Sequence, residues 1–136
     1  MATATGKYLG NLRCEWKHEA SGATIITDAP VDNHGKGEGF SPTDICAASL
    51  GACAMTIMGI YAQSRDIDLS GATFEVEKVM SKEPRRIGEI KVIFRIPDRD
   101  FDDKTKISLE RAANTCPIHQ SLHPDVKQSL VFEWVK

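Results

Sequence analysis

The chain has 136 residues, with 17 Lys or Arg and 19 Asp or Glu, so its formal net charge is −2. This length predicts a single domain spanning residues 1–136. The near balance of charge argues against a nucleic-acid partner or an anionic membrane surface, because both call for a basic patch.

The N-terminal part is predicted to form a β-hairpin and a loop. It has no apolar run long enough for a signal peptide, so a cytoplasmic location is expected. Strict alternation predicts one half-buried strand over residues 7–17, and residues 23–27 form the returning strand. The apolar face of the first strand carries Tyr8, Leu12, Cys14 and Trp16. Residues 28–39, with one proline and three glycines, form a mobile loop.

A long helix is predicted over residues 41–65, which read SPTDICAASLGACAMTIMGIYAQSR. Ser41 is a good N-cap, Pro42 fits the first helical position, and Asp44 completes a capping box. No charged residue lies between Asp44 and Arg65, and apolar side chains occur on every side of the helix. This pattern predicts a central helix that is buried nearly all round.

A membrane span is the alternative interpretation of this helix, because about 20 uncharged residues cross a bilayer. Its serines, threonine, glutamine and glycines oppose that interpretation, and no membrane partner is expected. At roughly 1.5 Å per residue the helix is more than about 30 Å long. One short chain can hardly cover such a helix on all sides, so a second copy is expected to cover the rest and the protein is predicted to be a homodimer.

The segment after the helix is predicted to form a second hairpin. A strand over residues 71–80 is followed by a polar turn over residues 81–88. The strand over residues 89–96 has alternating apolar residues and ends at Pro97.

The C-terminal part is predicted to contain a second helix, a short helical turn and a last strand. Asp102 or Asp103 caps the second helix, Pro117 starts the short turn, and residues 129–135 form the strand. The apolar stripe of the second helix consists of Leu109, Ala112, Ala113 and Cys116. The element order predicts the α+β class, with antiparallel sheets around the long central helix.

Four cysteines in a reducing compartment are best explained as thiols, redox pairs or metal ligands. Cys14 and Cys46 have apolar neighbours and are interpreted as packed side chains. Cys53 has small neighbours that leave room for a ligand or a second sulfur. Cys116 precedes a proline at a helix start, where a helix dipole favours the reactive thiolate. A packed thiol at a helix junction explains Cys116 equally well.

A metal site is a competing use of the same residues. Cys116, His119 and His123 have ligand-like spacing, and Cys53 is a further candidate zinc ligand. His123 is followed by a proline in what is predicted to be a plain loop, which weakens this interpretation. We therefore expect no metal and no cofactor.

The two cysteine segments together resemble the OsmC/Ohr family, the osmotically inducible and organic-hydroperoxide-resistance proteins. The first carries the family's S-P-x-D/E-L/I opening and its A-x-x-G-A-C, here residues 41–45 and 48–53. The second carries C-P-x-x-x-S-L, here residues 116–122. The spacing and the strand order match as well, so the resemblance covers nearly the whole chain.

The resemblance implies an intertwined homodimer and a thiol-dependent peroxidase of the oxidative-stress response. By motif, Cys53 is the peroxidatic residue, which attacks an organic hydroperoxide and becomes a sulfenic acid. Cys116 is the resolving residue, which condenses with it to a disulfide. The resemblance further implies that an external dithiol reduces this disulfide.

The groups that activate the thiol depart from the pattern of the peroxidases. Thr43 occupies the position of the family's glutamate, and Asp44 lies one residue further, about 100° around the helix. No arginine lies between residues 13 and 65, so His34 and Lys36 become candidate cations. This pattern is closer to the OsmC-like branch. It leaves open an alternative, a non-catalytic binding protein for an apolar small molecule on the same dimeric scaffold.

Overall fold

A computed structural model describes all residues, 1–136, as two compact units, Met1–Cys46 and Ala47–Lys136. The first unit contains a three-stranded antiparallel sheet of β1 (Ala4–Gly10), β2 (Arg13–His18) and β3 (Thr24–Asp28) in the order β1-β2-β3. A short 3-10 helix, Val31–Asn33, lies in the following loop.

The prediction of one strand over residues 7–17 is wrong, because a tight turn divides it into β1 and β2. Asn11 and Leu12 have φ angles of 54° and 62°, and Gly10 pairs with Arg13 across the turn. Two consecutive residues with positive φ are typical of the two-residue turns that match the twist of a hairpin. The apolar alternation of residues 7–17 therefore runs through a turn.

The long helix, α1 (Pro42–Gln63), begins in the first unit and continues in the second. Its predicted capping box is confirmed, since the Asp44 amide donates to Ser41 Oγ and the Ser41 amide donates to Asp44 Oδ2, both at 3.0 Å. As expected, a single chain does not cover α1 on all sides, and burial of the rest by a second copy stays a prediction. The buried residues of α1 are Ala47, Leu50, Gly51, Ala54, Met58 and Ala62. Its exposed residues include Cys46, Ala52, Thr56 and Ile60.

By length and composition alone, α1 is long and apolar enough to cross a membrane. The core helix of a soluble protein passes the same test, and one face of α1 packs in the core of the second unit.

The second unit contains a mixed sheet of β4 (Thr73–Ser81), β5 (Arg86–Pro97) and β6 (Lys127–Val135). The order is β4-β5-β6, with β4 antiparallel and β6 parallel to the central strand β5. The expectation of purely antiparallel sheets is therefore wrong here. The chain leaves β5 through two helices before β6, and parallel strands require a crossover of this kind.

The core of the second unit lies between α1 and this sheet. Leu50 and Met58 of α1 and Phe94 of β5 are fully buried, and the Phe94 ring stacks on Phe132 of β6 with centroids 5.0 Å apart. Gly51 lets β4 approach α1, because a Cβ at this position would lie 2.8 Å from the ring of Phe74.

Two further helices, α2 (Asp103–Ala113) and α3 (Pro117–Ser121), connect β5 to β6. The Asp102 side chain caps α2 by accepting from the Thr105 amide, as predicted. Cys116 is the N-cap residue of α3, with φ −63° and ψ 146°, which is the extended conformation favoured before a proline.

Candidate functional site

Two cysteines that are 63 positions apart in the sequence become neighbours in the second unit. Cys53 lies in the middle of α1 and is half-buried, whereas Cys116 is fully buried at the start of α3. The Cys53 side chain lies close enough to raise the pKa of the Cys116 thiol, and both remain free thiols. The two cysteines are therefore neighbours, although their sulfurs are not at disulfide distance.

The environment of Cys116 favours its protonated form. Burial raises the pKa of the Cys116 thiol above its ordinary value of 9.0, although the His119 amide, which donates to Cys116 Sγ at 3.3 Å, acts in the opposite direction. The neighbouring Cys53 side chain also raises the pKa of Cys116. Both effects favour the protonated thiol of Cys116.

A groove between α1 and α2 lies next to the cysteine pair. It has a volume of about 460 Å³ and is lined by Ile57, Ile60 and Tyr61 of α1 and by Ser108, Arg111, Ala112 and Thr115 of the α2 segment. Ile57 lies one helical turn after Cys53, and Thr115 directly precedes Cys116. Helical spacing thus places Cys53 and Cys116 at one end of the groove.

The groove is apolar with cationic groups at its edge. Arg111 is exposed in the last turn of α2, and its guanidinium makes no ion pair. Arg65 lies over the ring of Tyr61, with its Cζ atom 3.8 Å from the ring centroid. Such a groove suits a molecule with an apolar body and an anionic group.

The predicted thiol-activating residues on α1 are engaged in the helix cap. The Asp44 carboxylate accepts from the Ser41 amide, and the hydroxyl of Thr43 lies 3.2 Å from that of Ser41. Asp44 precedes Cys53 by nine residues, which is about 13 Å along a helix. Within one chain, neither Thr43 nor Asp44 can therefore act on Cys53 directly.

Comparisons with known proteins identify the family of the chain. The family described as OsmC-like protein matches residues 35–130, which include both cysteines. The chain belongs to the OsmC/Ohr family. The crystal structure of a Psychrobacter arcticus protein, named for a proposed role in osmotic-stress induction and detoxification, superposes on the chain with a TM-score of 0.92 and 46% identity. The match covers 97% of this chain and 96% of that chain.

More distant members share the fold. The OsmC organic hydroperoxide resistance protein of Legionella pneumophila gives a TM-score of 0.71 at 17% identity, covering 96% of this chain and 94% of that chain. OhrB of Bacillus subtilis gives 0.66 at 17% identity, covering 98% of each chain. No curated protein sequence matches this member of the family.

In this OsmC/Ohr member, the cations predicted before α1 lie in the first unit. His34 is exposed at the end of the 3-10 helix, in the left-handed region with φ 69°. Lys36 is exposed, and its charge contributes to lowering the pKa of Asp28.

Sequence reasoning missed Arg13, which forms ion pairs with both Asp28 and Glu38 in the first unit. Arg13 Nε and Nη2 donate to the two carboxylate oxygens of Asp28 at 2.7 and 2.9 Å, and Nη2 donates to Glu38 at 2.9 Å. These hydrogen bonds hold the pKa of the nearly buried Asp28 below its ordinary value. The dipeptide Gly10-Asn11 is a hairpin signal that places Arg13 at the start of a strand.

The candidate zinc ligands do not converge. No group of three or more His, Cys, Asp or Glu side chains is placed to hold a metal ion. His119 contacts Gln128, and the exposed His123 accepts from the Asp125 amide at 3.0 Å. Cys46, predicted to be packed, is exposed.

Proposed function

We propose that this protein is a thiol-dependent peroxidase that reduces organic hydroperoxides through Cys53 and Cys116. The Cys53 thiolate attacks the terminal oxygen of the hydroperoxide, the O–O bond breaks, and the alkoxide takes a proton to leave as an alcohol. Cys116 then attacks the Cys53 sulfenic acid, an S–S bond forms, and the S–O bond breaks with release of water. An external dithiol reduces the disulfide and is itself oxidised.

The proximity of the two thiols supports this proposal, since Cys53 acts on the pKa of Cys116. The half-buried Cys53 is more accessible to a peroxide than the fully buried Cys116, whose pKa is raised by burial. A thiol that is buried and protonated is a poor first nucleophile, because the thiolate is the reactive form. Its position beside Cys53 suits the second step, in which it meets a sulfenic acid already formed in the pocket.

The groove supports a substrate with an organic body. Its apolar wall starts one helical turn from Cys53, so a bound hydrocarbon chain would lie along α1 with its peroxide near the sulfur. The unpaired Arg111 would attract a carboxylate at the same edge. These features favour an organic hydroperoxide over hydrogen peroxide.

The homodimer is part of the proposal. A carboxylate at the start of α1 that acts on Cys53 has to come from a second copy, since that of the same chain lies about 13 Å along the helix. We also propose a cytoplasmic location, because all four cysteines are free thiols.

Peroxide consumption with dithiothreitol as the reductant tests this function. The Cys53→Ser variant is expected to lose activity, and Cys116→Ser is expected to hold a sulfenic acid at Cys53. Cys46→Ser is the matched control, because Cys46 is an exposed thiol on the same helix. Activity that survives in Cys53→Ser would exclude the proposed mechanism.

A binding protein for an apolar small molecule is the second candidate, and the groove is the observation that favours it. Its volume of about 460 Å³ lies in the range of small-molecule pockets. Native mass spectrometry of protein purified from cells would reveal a retained ligand. A clean apo mass together with peroxide turnover would reject this candidate.

A further inference from the structure

Cys116 is held by a short helix that is itself fastened to the sheet by two side chains, His119 and Gln128. α3 has only five residues, and so short a helix does not persist in water without tertiary contacts. The His119 amide donates to Cys116 Sγ at 3.3 Å, and the Gln120 amide donates to the Cys116 carbonyl at 3.2 Å. The direction of the Cys116 thiol therefore depends on this first turn remaining closed.

The Gln128 side chain contacts His119 at two points. Gln128 Nε2 donates to the His119 carbonyl at 3.2 Å, and Gln128 Oε1 contacts His119 Nδ1 at hydrogen-bond distance. Because the amide NH₂ group of Gln128 faces a carbonyl, its oxygen faces the ring, so His119 Nδ1 carries the proton. Both bonds are partly buried, which makes them costly to break.

Gln128 is in turn placed by the sheet. It lies at the start of β6, in register with the fully buried Ile90 of the central strand β5. The series Gln128, His119 and Cys116 thus connects the rigid sheet to the thiol. Gln120, also on α3, is exposed, and its side chain contributes nothing to this connection.

We propose that Gln128 is a positioning residue for the resolving step, acting through His119 to keep the Cys116 sulfur directed at Cys53. This inference rests on the proposed peroxidase function. In that step Cys116 loses its proton, its sulfur bonds to the Cys53 sulfur, and hydroxide leaves as water. The first step, in which Cys53 attacks the peroxide, does not involve the Cys116 sulfur. It therefore does not need the two contacts between Gln128 and His119.

The experiment compares Gln128→Leu, which removes both bonds at similar volume, with Gln120→Leu as the matched control. One equivalent of cumene hydroperoxide is added to each reduced protein, and quenched samples are analysed by mass spectrometry for sulfenic acid and disulfide. We expect Gln128→Leu to form the sulfenic acid at the wild-type rate. Its disulfide formation is expected to slow by about tenfold to a hundredfold, which is the effect of a small misplacement of a reacting group. Disulfide formation at the rate of Gln120→Leu would overturn the inference.

Two further measurements separate this inference from the proposed function and from simple misfolding. Diamide oxidises paired thiols without peroxide. Slower disulfide formation with diamide in Gln128→Leu than in the wild type therefore supports the positioning role of Gln128, even if the wild type does not react with hydroperoxides. Gln128→Glu keeps the acceptor for His119 Nδ1 and loses the donor to the carbonyl. It is expected to show an intermediate rate, and it carries the test if Gln128→Leu does not fold. Disulfide formation at the wild-type rate in both Gln128→Glu and Gln128→Leu would refute the positioning role of Gln128.

Discussion

Neutralising Arg111 tests whether the groove between α1 and α2 receives the substrate. Arg111 lines the groove, makes no ion pair and lies five residues before Cys116. The change to Gln removes its positive charge and keeps a polar side chain. We expect the variant to lose its preference for a hydroperoxide that carries a carboxylate, because that anion loses its partner at the edge of the groove.

The exposure of Arg111 sets the size of this effect. Exposed ion pairs are worth about 0.2–1 kcal/mol, because solvent screens the two charges. Such an energy corresponds to about a 1.4-fold to 5-fold change in kcat/KM. A larger effect would require the guanidinium to be desolvated by the ligand. Arg111→Lys keeps the charge and is expected to retain most of the preference.

The assay compares linoleic acid hydroperoxide with its methyl ester, since the two share the apolar body and the peroxide group. The acid-to-ester ratio of kcat/KM is measured for the wild type, Arg111→Gln, Arg111→Lys and the control Lys104→Ala, which changes an exposed cation of α2 outside the groove. The ratio is expected to fall most in Arg111→Gln, little in Arg111→Lys and not at all in Lys104→Ala. An unchanged ratio in that variant would refute the assignment of the groove to the substrate.

Three further predictions concern the core, the pH dependence of stability and the Cys116 thiol. Phe94→Ala is expected to lower the free energy of unfolding in urea by about 3–5 kcal/mol, because Phe94 is fully buried, and a loss below about 1 kcal/mol would contradict its packing. The hydrogen bond from Lys106 lowers the pKa of Asp98 below 3.8. The ionised Asp98 therefore stabilises the fold fully above pH 3.8, and this stabilisation is lost as the pH falls through the pKa of Asp98 in the folded state. The free energy of unfolding in urea should consequently depend less on acid pH in Asp98→Asn than in the wild type. In Cys53→Ser, iodoacetamide is expected to alkylate Cys116 half-maximally only above pH 9.0, since burial raises its pKa, and rapid alkylation at pH 7 would contradict this.

Local signals in the sequence predicted most of the elements that position the site. The capping box of Ser41 and Asp44 starts α1, and the proline after Cys116 separates α2 from α3. These features depend on residues only three positions apart or fewer, so they can be identified without the rest of the fold. The family motifs supplied the pairing of Cys53 with Cys116, which lie on different helices and which no local pattern connects.

The errors arose where a distant partner decides the structure. The alternation of residues 7–17 hid a turn, because the turn residues continue the apolar pattern. Arg13 could not be recognised as the partner of the buried Asp28 until β2 and β3 were paired, which places the two residues opposite each other. The direction of β6 depends on the path of the crossover.

The central claim, that Cys53 and Cys116 form one redox pair, is tested most directly by mapping the bonds formed after one equivalent of an organic hydroperoxide. Peptide mass spectrometry of the wild type is predicted to find a disulfide between Cys53 and Cys116 with Cys14 and Cys46 still reduced. Cys116→Ser is predicted to carry the sulfenic acid on Cys53. Oxidation at Cys14 or Cys46 in place of this pair, or reduced thiols throughout, would contradict the account.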